Sequence, residues 1–313
     1  MKLQFINKIA LDVISGGNIY NKTVIDGLIR KDVSIDYNTS PSRKNYDLSI
    51  IDSLCMNKIN LNHLDTNKPI IALIHQLPIL NSTALDFYKN HSKFIVTGEP
   101  SKEMLINAWN VHEDKITIIR PGVPEQWKPK TTFNNKPKRI LIVSNFIENK
   151  GFEMLIKLLE RLNHLNIEFD IIGNNQLDKI YANAIIKSIN LTNANVSFYY
   201  NLNRDEIYKR FINSDIFLSL SKSESFGMAI FEALSLGLPS IAYKTGDYTY
   251  FNNHLNYMRI DNYSEYSFSE IIKEWINNPI TYKRYCDIKS RKKRHWNQVV
   301  DEFSLCLKNT MIC

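Results

Sequence analysis

With 313 residues, 44% of them hydrophobic and 23% charged, the chain has the size of one large or two ordinary domains and the composition of a soluble globular protein. These figures exclude the disordered, collagen-like and disulfide-scaffold classes, and a chain this long buries enough surface to need no metal or disulfide staple. The net charge of +7 is spread out, with 16 basic and 13 acidic residues over 1–130 and 23 and 19 over the remainder, which argues against a nucleic-acid binder with its charge on one face.

The chain opens with Met1-Lys2-Leu3-Gln4-Phe5-Ile6-Asn7-Lys8, which lacks the continuous apolar core of a secretory signal, and no stretch approaches the length of a membrane span. Apolar runs predict strands at 8–14, 47–52, 69–74, 93–97 and 116–119, with helical patterns at 19–30 and 101–110 among them. The rhythm repeats with strands at 139–143, 169–172, 196–200, 216–220 and 239–243, and helices near 151–165, 177–190, 204–213 and 227–236. Continuous β-branched runs separated by helices predict parallel sheets covered on both faces. Between the two series, Pro121, Pro124, Pro129 and Pro137 crowd into one segment, as in an exposed linker. The expected division is residues 1–130 and 131–294, with a final helix at about 295–313 left over after the second sheet. Cys55, Cys286, Cys306 and Cys313 stand at scattered spacings without a C-x-x-C, so reduced thiols and a cytoplasmic location are expected, with no zinc site.

In open parallel sheets, ligands bind beyond the carboxyl ends of the strands. No G-x-G-x-x-G and no G-x-x-x-x-G-K-[ST] follows any of these strands, so dinucleotide redox chemistry and P-loop hydrolysis lose their support. The informative segment is Glu224-Ser225-Phe226-Gly227-Met228-Ala229-Ile230-Phe231-Glu232, after the strand IFLSL. Gly227 lets a ligand approach the backbone, and the free amides of a first helical turn suit a phosphate. Two carboxylates beside a phosphate site need other partners. Sugar hydroxyls fit, since one carboxylate accepts two of them.

This E-x7-E block, continuing through ALSLGLPSIA, resembles the signature of retaining GT-B glycosyltransferases of the group 1 or family 4 class. SGGNIYNKTVIDGL (15–28), IIALIHQLP (70–78), FIVTGEPSKEML with KITIIRPGVP (94–124) and ILIVSNFIENKGFEMLIKLL (140–159) are similar to further segments of that family, in the same order. The resemblance implies an α/β GT-B fold, two Rossmann-like parallel-sheet domains facing each other across a cleft. It implies an acceptor-side domain at 1–130, the final helix packing back on it, and a donor-binding domain at 131–294. The implied activity is metal-independent transfer of a hexose, with retention, from a nucleotide diphosphate sugar to a hydroxyl acceptor on a glycan, lipid or small molecule. No cofactor is implied beyond the donor itself.

Carried over by residue, the resemblance gives Glu232 the ribose hydroxyls and Glu224 the hydroxyls of the donor sugar. The backbone at Phe226, Gly227 and Met228 and the Lys150 ammonium would hold the pyrophosphate. Gly16 and Gly17 would approach the donor phosphate and His75 the reacting sugar, while Gly173, Asn201 and Leu202 would meet the base. Asn145 and Asn149 stand where the family commonly has an arginine, which leaves Lys150 to carry the pyrophosphate charge, and Asn145 is expected to face the donor. Asn256 stands where a turn glycine is expected, a left-handed position that asparagine tolerates. Two alternatives remain at this level, a non-catalytic GT-B binding subunit and another nucleotide-sugar enzyme on the same scaffold. Finally, the run Lys283, Arg284, Lys289, Arg291, Lys292, Lys293 and Arg294 suggests peripheral contact with an anionic membrane.

Overall fold

The computed structural model describes residues 1–8, 15–42, 44–286 and 293–312. The chain divides into two units, Met1–Pro124 with Arg294–Cys313, and Glu125–Lys293.

The first unit is built on a six-stranded, wholly parallel sheet in the order β2-β1-β3-β4-β5-β6. Its strands are β1 (Lys2–Ile6), β2 (Ser34–Asn38), β3 (Leu48–Asp52), β4 (Ile70–Ile74), β5 (Ser92–Val96) and β6 (Ile116–Ile118). LSIID and IIALI are buried at every position, as central parallel strands covered on both faces must be. The first strand of the sheet is β1, while the strand expected at 8–14 falls, after Lys8, outside the described residues. Gln4 disguises β1 as a polar segment, yet its amide is buried and satisfied, donating to Ser49 Oγ at 2.7 Å and accepting from the Ser42 amide at 3.1 Å. The polar edge strand β2 was not expected from sequence.

Helices α1 (Gly16–Ile29), α2 (Ser82–His91) and α3 (Glu99–Trp109) follow β1, β4 and β5. Ser15 and Asn81 cap the first two by accepting from backbone amides three residues on. In the second unit the order is β12-β11-β10-β7-β8-β9, again all parallel. Here β7 (Arg139–Val143), β8 (Glu168–Ile172), β9 (Asn195–Tyr199), β10 (Ile216–Ser219), β11 (Ser240–Tyr243) and β12 (Tyr257–Ile260) alternate with α4 (Phe152–Leu162), α5 (Lys179–Asn190), α6 (Arg204–Asn213), α7 (Met228–Leu236) and α8 (Tyr248–Phe251). Helices α9 (Glu265–Asn277) and α10 (Pro279–Tyr285) complete the unit.

The boundary falls after Pro124 rather than at 130, and packing explains the difference. Trp127 is buried against Tyr208 and Phe211, and the Lys130 ammonium donates to the carbonyls of Ile212 (3.0 Å) and Ser214 (2.6 Å), so both belong to the second unit. Of the basic run at 283–294, Lys289, Arg291 and Lys292 lie outside the described residues. Arg294 is spent within the first unit, on Glu302 (2.7 and 2.5 Å) and the Arg120 carbonyl.

Helix α11 (Trp296–Ile312) packs on α1 in the first unit. The backbones approach because Gly27 has no side chain: a Cβ there would lie 2.3 Å from Val300 Cγ2. Trp296 and Phe303 meet the buried ring of Tyr20 beside this contact. Gly27→Leu is therefore expected to lower stability by about 1–3 kcal/mol, the usual range for overpacking. Val300→Ala in the same chain should recover part of that loss. Urea unfolding of the two variants and the double variant checks this.

Candidate active site

In each sheet the winding reverses once, between β1 and β3 in the first unit and between β7 and β10 in the second. Loops leaving the carboxyl ends of such a pair diverge and open a crevice there. In the second unit these loops carry Lys150, after β7, and Glu224, after β10. Their side chains meet with Lys150 Nζ 2.5 Å from Glu224 Oε1, and both are largely buried. Two residues 74 apart in sequence are thus brought together at the reversal.

The backbone around them is tied down. Lys222 N donates to the Asn149 carbonyl at 2.8 Å, and Tyr263 Oη donates to the Leu220 carbonyl at 2.7 Å, joining the loop after β10 to its neighbours. Helices α4 and α7, which follow β7 and β10, both start from a glycine with positive φ, 75° at Gly151 and 98° at Gly227. Neither has a side chain capping its first turn, whereas α5, α6 and α9 are capped by Asp178, Asn203 and Ser264. The helix N-termini flanking the reversal therefore keep first-turn amides open toward an anion.

Glu232 lies on α7 and is only 3% exposed. Arg204, the first residue of α6, grips it with both arms, Nη2 to Oε1 at 2.6 Å and Nη1 to Oε2 at 3.4 Å. Sequence reasoning missed Arg204; its partner lies 28 residues away, and only the fold joins them. Phe226 is buried among Phe231, Tyr250 and Phe251, with its carbonyl taken by the Asp247 amide, and Met228 is half-buried.

Asn145 is engaged within its own unit. Its Oδ1 accepts from the Asn174 amide at 3.1 Å, so the side chain ties the loop after β7 to the loop after β8. The same two loops touch at Gly173, where a Cβ would lie 1.9 Å from the Ser144 carbonyl oxygen. Asn201 takes a left-handed turn, φ 54°, with Leu202 half-buried beside it. The left-handed reading of Asn256 is corrected: it is absent from the positive-φ residues, and its amide instead donates to the carbonyls of Leu234 and Leu238, each at 3.1 Å.

In the first unit, His75 follows β4 and meets Gly17 at the start of α1. A Cβ on Gly17 would lie 3.2 Å from His75 Cδ2, so the glycine admits the ring. Asn21 Nδ2 donates to the fully buried Asp52 carboxylate at 2.5 Å, which turns Asn21 Oδ1 toward His75 Nε2 at 2.7 Å. A carboxylate only accepts, so the amide oxygen is left to accept from the ring, and the neutral imidazole carries its proton on Nε2. Ser53 Oγ accepts from the His75 and Gln76 amides and fixes the turn. Asn21, Asp52 and Ser53 gave no local sequence signal. Burial pushes the His75 pKa below its ordinary value, opposed by the nearby Asp52 charge. Among the described residues, no group of three or more His, Cys, Asp or Glu side chains is placed to hold a metal ion, and no helix is long and apolar enough to cross a membrane.

Residues 123–293 match the family model described as glycosyl transferases group 1. The chain belongs to this family. Similar proteins include ORF313 of Acidianus filamentous virus 1, named as a glycosyltransferase, 27% identical over 150 residues, covering 42% of this chain and 46% of that protein. The sulfoquinovosyl transferase SQD2 of Arabidopsis thaliana is 28% identical over 186 residues, 56% of this chain and 33% of that protein. The chain thus spans less than half the length of these curated relatives. Among solved structures, a sucrose-phosphate synthase from Thermosynechococcus elongatus has a TM-score of 0.77 at 13% identity, covering 98% of both chains. HepE of Anabaena, solved with UDP and glucose, has a TM-score of 0.77 at 14% identity, covering 99% of this chain and 100% of that one. The fold of this family member is accordingly the GT-B fold.

The His75 environment predicts a pH dependence. The native ring resists a proton that the unfolded ring takes up at about 6.5. Stability from the neutral ring is therefore whole above pH ~6.5 and falls as pH drops below it. His75→Gln should flatten part of that acid-side slope, which thermal unfolding between pH 5 and 8 measures; an unchanged slope would exclude His75 as its source.

Proposed function

We propose that this glycosyltransferase moves a hexose, with retention, from a nucleotide diphosphate sugar to a hydroxyl acceptor, without a metal. The observation that carries the reading is the Lys150–Glu224 pair at the sheet reversal, beside the uncapped N-terminus of α7. Without ligand, the cation and the carboxylate satisfy each other. With donor bound, Lys150 and the first-turn amides at Gly227 and Met228 take the pyrophosphate, and Glu224 takes hydroxyls of the sugar. Each charge exchanges one partner for another, so neither is left buried and unpaired.

In this reading Glu232 accepts from the ribose, and the base lies against the backbone near Gly173, Asn201 and Leu202. Gly16-Gly17 serve the donor phosphate, and His75, with its ring fixed by Asn21, serves the sugar. The acceptor oxygen bonds to the anomeric carbon as the bond to the β-phosphate oxygen breaks. The departing nucleotide diphosphate takes the acceptor proton on the same face, which preserves the anomeric configuration and needs no enzyme nucleophile. The chain supplies alignment and charge stabilisation on the leaving group. HepE was solved with UDP, which makes UDP-sugars the first donors to assay.

Glu224→Gln and Lys150→Ala should each lower turnover about ten- to hundred-fold, the worth of a charge-assisted contact of roughly 1.5–3 kcal/mol. The assay is product formation from UDP-, GDP- and ADP-sugars, with the product anomer read by proton NMR and EDTA included as a second arm. An inverted product refutes retention, and loss of activity on chelation refutes metal independence. Donor binding without turnover for any acceptor would instead support a binding subunit.

A further inference from the structure

The cation on Glu232 is oddly sited. Arg204 is the first residue of α6, where the helix dipole disfavours positive charge, and the capping box of Asn203 with Glu206 already completes that helix start. Helix stability therefore gives Arg204 no reason to be there. Its neighbours do. The guanidinium lies over the Trp127 ring, 4.5 Å from the centroid, while both arms engage Glu232. Trp127 is itself immobilised by Tyr208, one turn further along α6, in a stack of 5.4 Å and 27°. Tyr208 Oη in turn accepts from the Lys128 amide and donates to its carbonyl.

We propose that Arg204, clamped by Trp127, is a positioning residue that orients the Glu232 carboxylate for the two hydroxyls of a ribose and so sets a preference for ribonucleotides over 2′-deoxyribonucleotides. The inference rests on the nucleotide-sugar reading above. A carboxylate offers about four acceptor positions, and the guanidinium fork uses one on each oxygen. Two remain, one per oxygen, matching a cis-diol. Among the described residues no other side chain hydrogen-bonds or ion-pairs with Glu232, so without Arg204 nothing fixes the plane of the carboxylate. A ligand lacking the 2′-hydroxyl leaves one buried acceptor unpaired, a defect that sites built around a hydroxyl punish strongly.

The test is calorimetric titration of the full chain with UDP, GDP and ADP, then with the 2′-deoxy counterpart of whichever binds. The wild type should prefer the ribonucleotide by about ten-fold or more, as expected for one unpaired buried acceptor. Arg204→Ala should weaken ribonucleotide binding by roughly ten-fold or more and bring the ribo-to-deoxy ratio near one. Arg204→Lys, which keeps the charge but loses the fork, should recover affinity more than it recovers the ratio. In a Glu232→Gln background, Arg204→Ala should cause no further loss, because Arg204 acts through Glu232. Should Arg204→Ala fail to fold, Arg204→Lys carries the same cycle. A ratio that survives in the Arg204 variants overturns the proposal alone, as does an additive loss in the cycle, which would mean direct contact with the nucleotide. Failure of the wild type to bind any of the three overturns the nucleotide reading and this inference with it.

Discussion

The reversal of winding between β7 and β10 is the constraint on which the second unit's chemistry depends. Wherever a parallel sheet is extended first to one side and then to the other, two neighbouring strands send their loops apart, and the helices that follow present their N-termini around the gap. Here both helices start from glycines in the left-handed region with no capping side chain. Electropositive backbone at such a place attracts negative charge whatever residues surround it. Lys150 adds to that field, and Glu224 opposes it. A carboxylate is favoured in such a field, and the 2.5 Å pair with Lys150 gives it a cation as well.

The same requirement explains the other buried polar groups. Glu232 and Asp52 are withdrawn from water and the His75 side chain nearly so, and each is paired with a neighbour that the fold brings from elsewhere in sequence. Removing one member of such an arrangement strands the other, which is why these groups occur as sets. The sets also restrict geometry. A planar guanidinium stacked on an indole, or an amide between a carboxylate and an imidazole, holds its partner in one orientation and, for the histidine, in one tautomer. Binding chemistry built from these sets begins from fixed directions, and less ordering remains to be done when ligand arrives.

The block from Glu224 to Ala242 was legible because its elements are consecutive: glycine turn, helix and strand follow one another, with Glu224 in the loop and Glu232 on the helix. Lys150 was legible for the same local reason. Arg204, Trp127, Asn21 and Asp52 were not, since each is paired with a residue 28 to 77 positions away and carries no pattern of its own. The strand errors have a similar origin. β1 has Gln4 in its centre, β2 is a polar edge, and β12 has Arg259 among its four residues, so none shows the continuous apolar run by which the central strands declare themselves.

Asparagine is where the sequence reading and the structure part most clearly. Asn145 and Asn256 each invited comparison with a residue that was missing, an arginine in one case and a glycine in the other. In the fold both are used for what an amide can do. Asn145 bridges two loops whose backbones already touch at Gly173, and Asn256 closes carbonyls at the end of α7. An arginine at 145 would carry a charge but could not accept from the Asn174 amide. A glycine at 256 would remove a donor from the Leu234 and Leu238 carbonyls, leaving them only the Gly237 amide and the Ser240 hydroxyl. At both positions, then, side-chain hydrogen bonds fix the loops and the helix that frame the site.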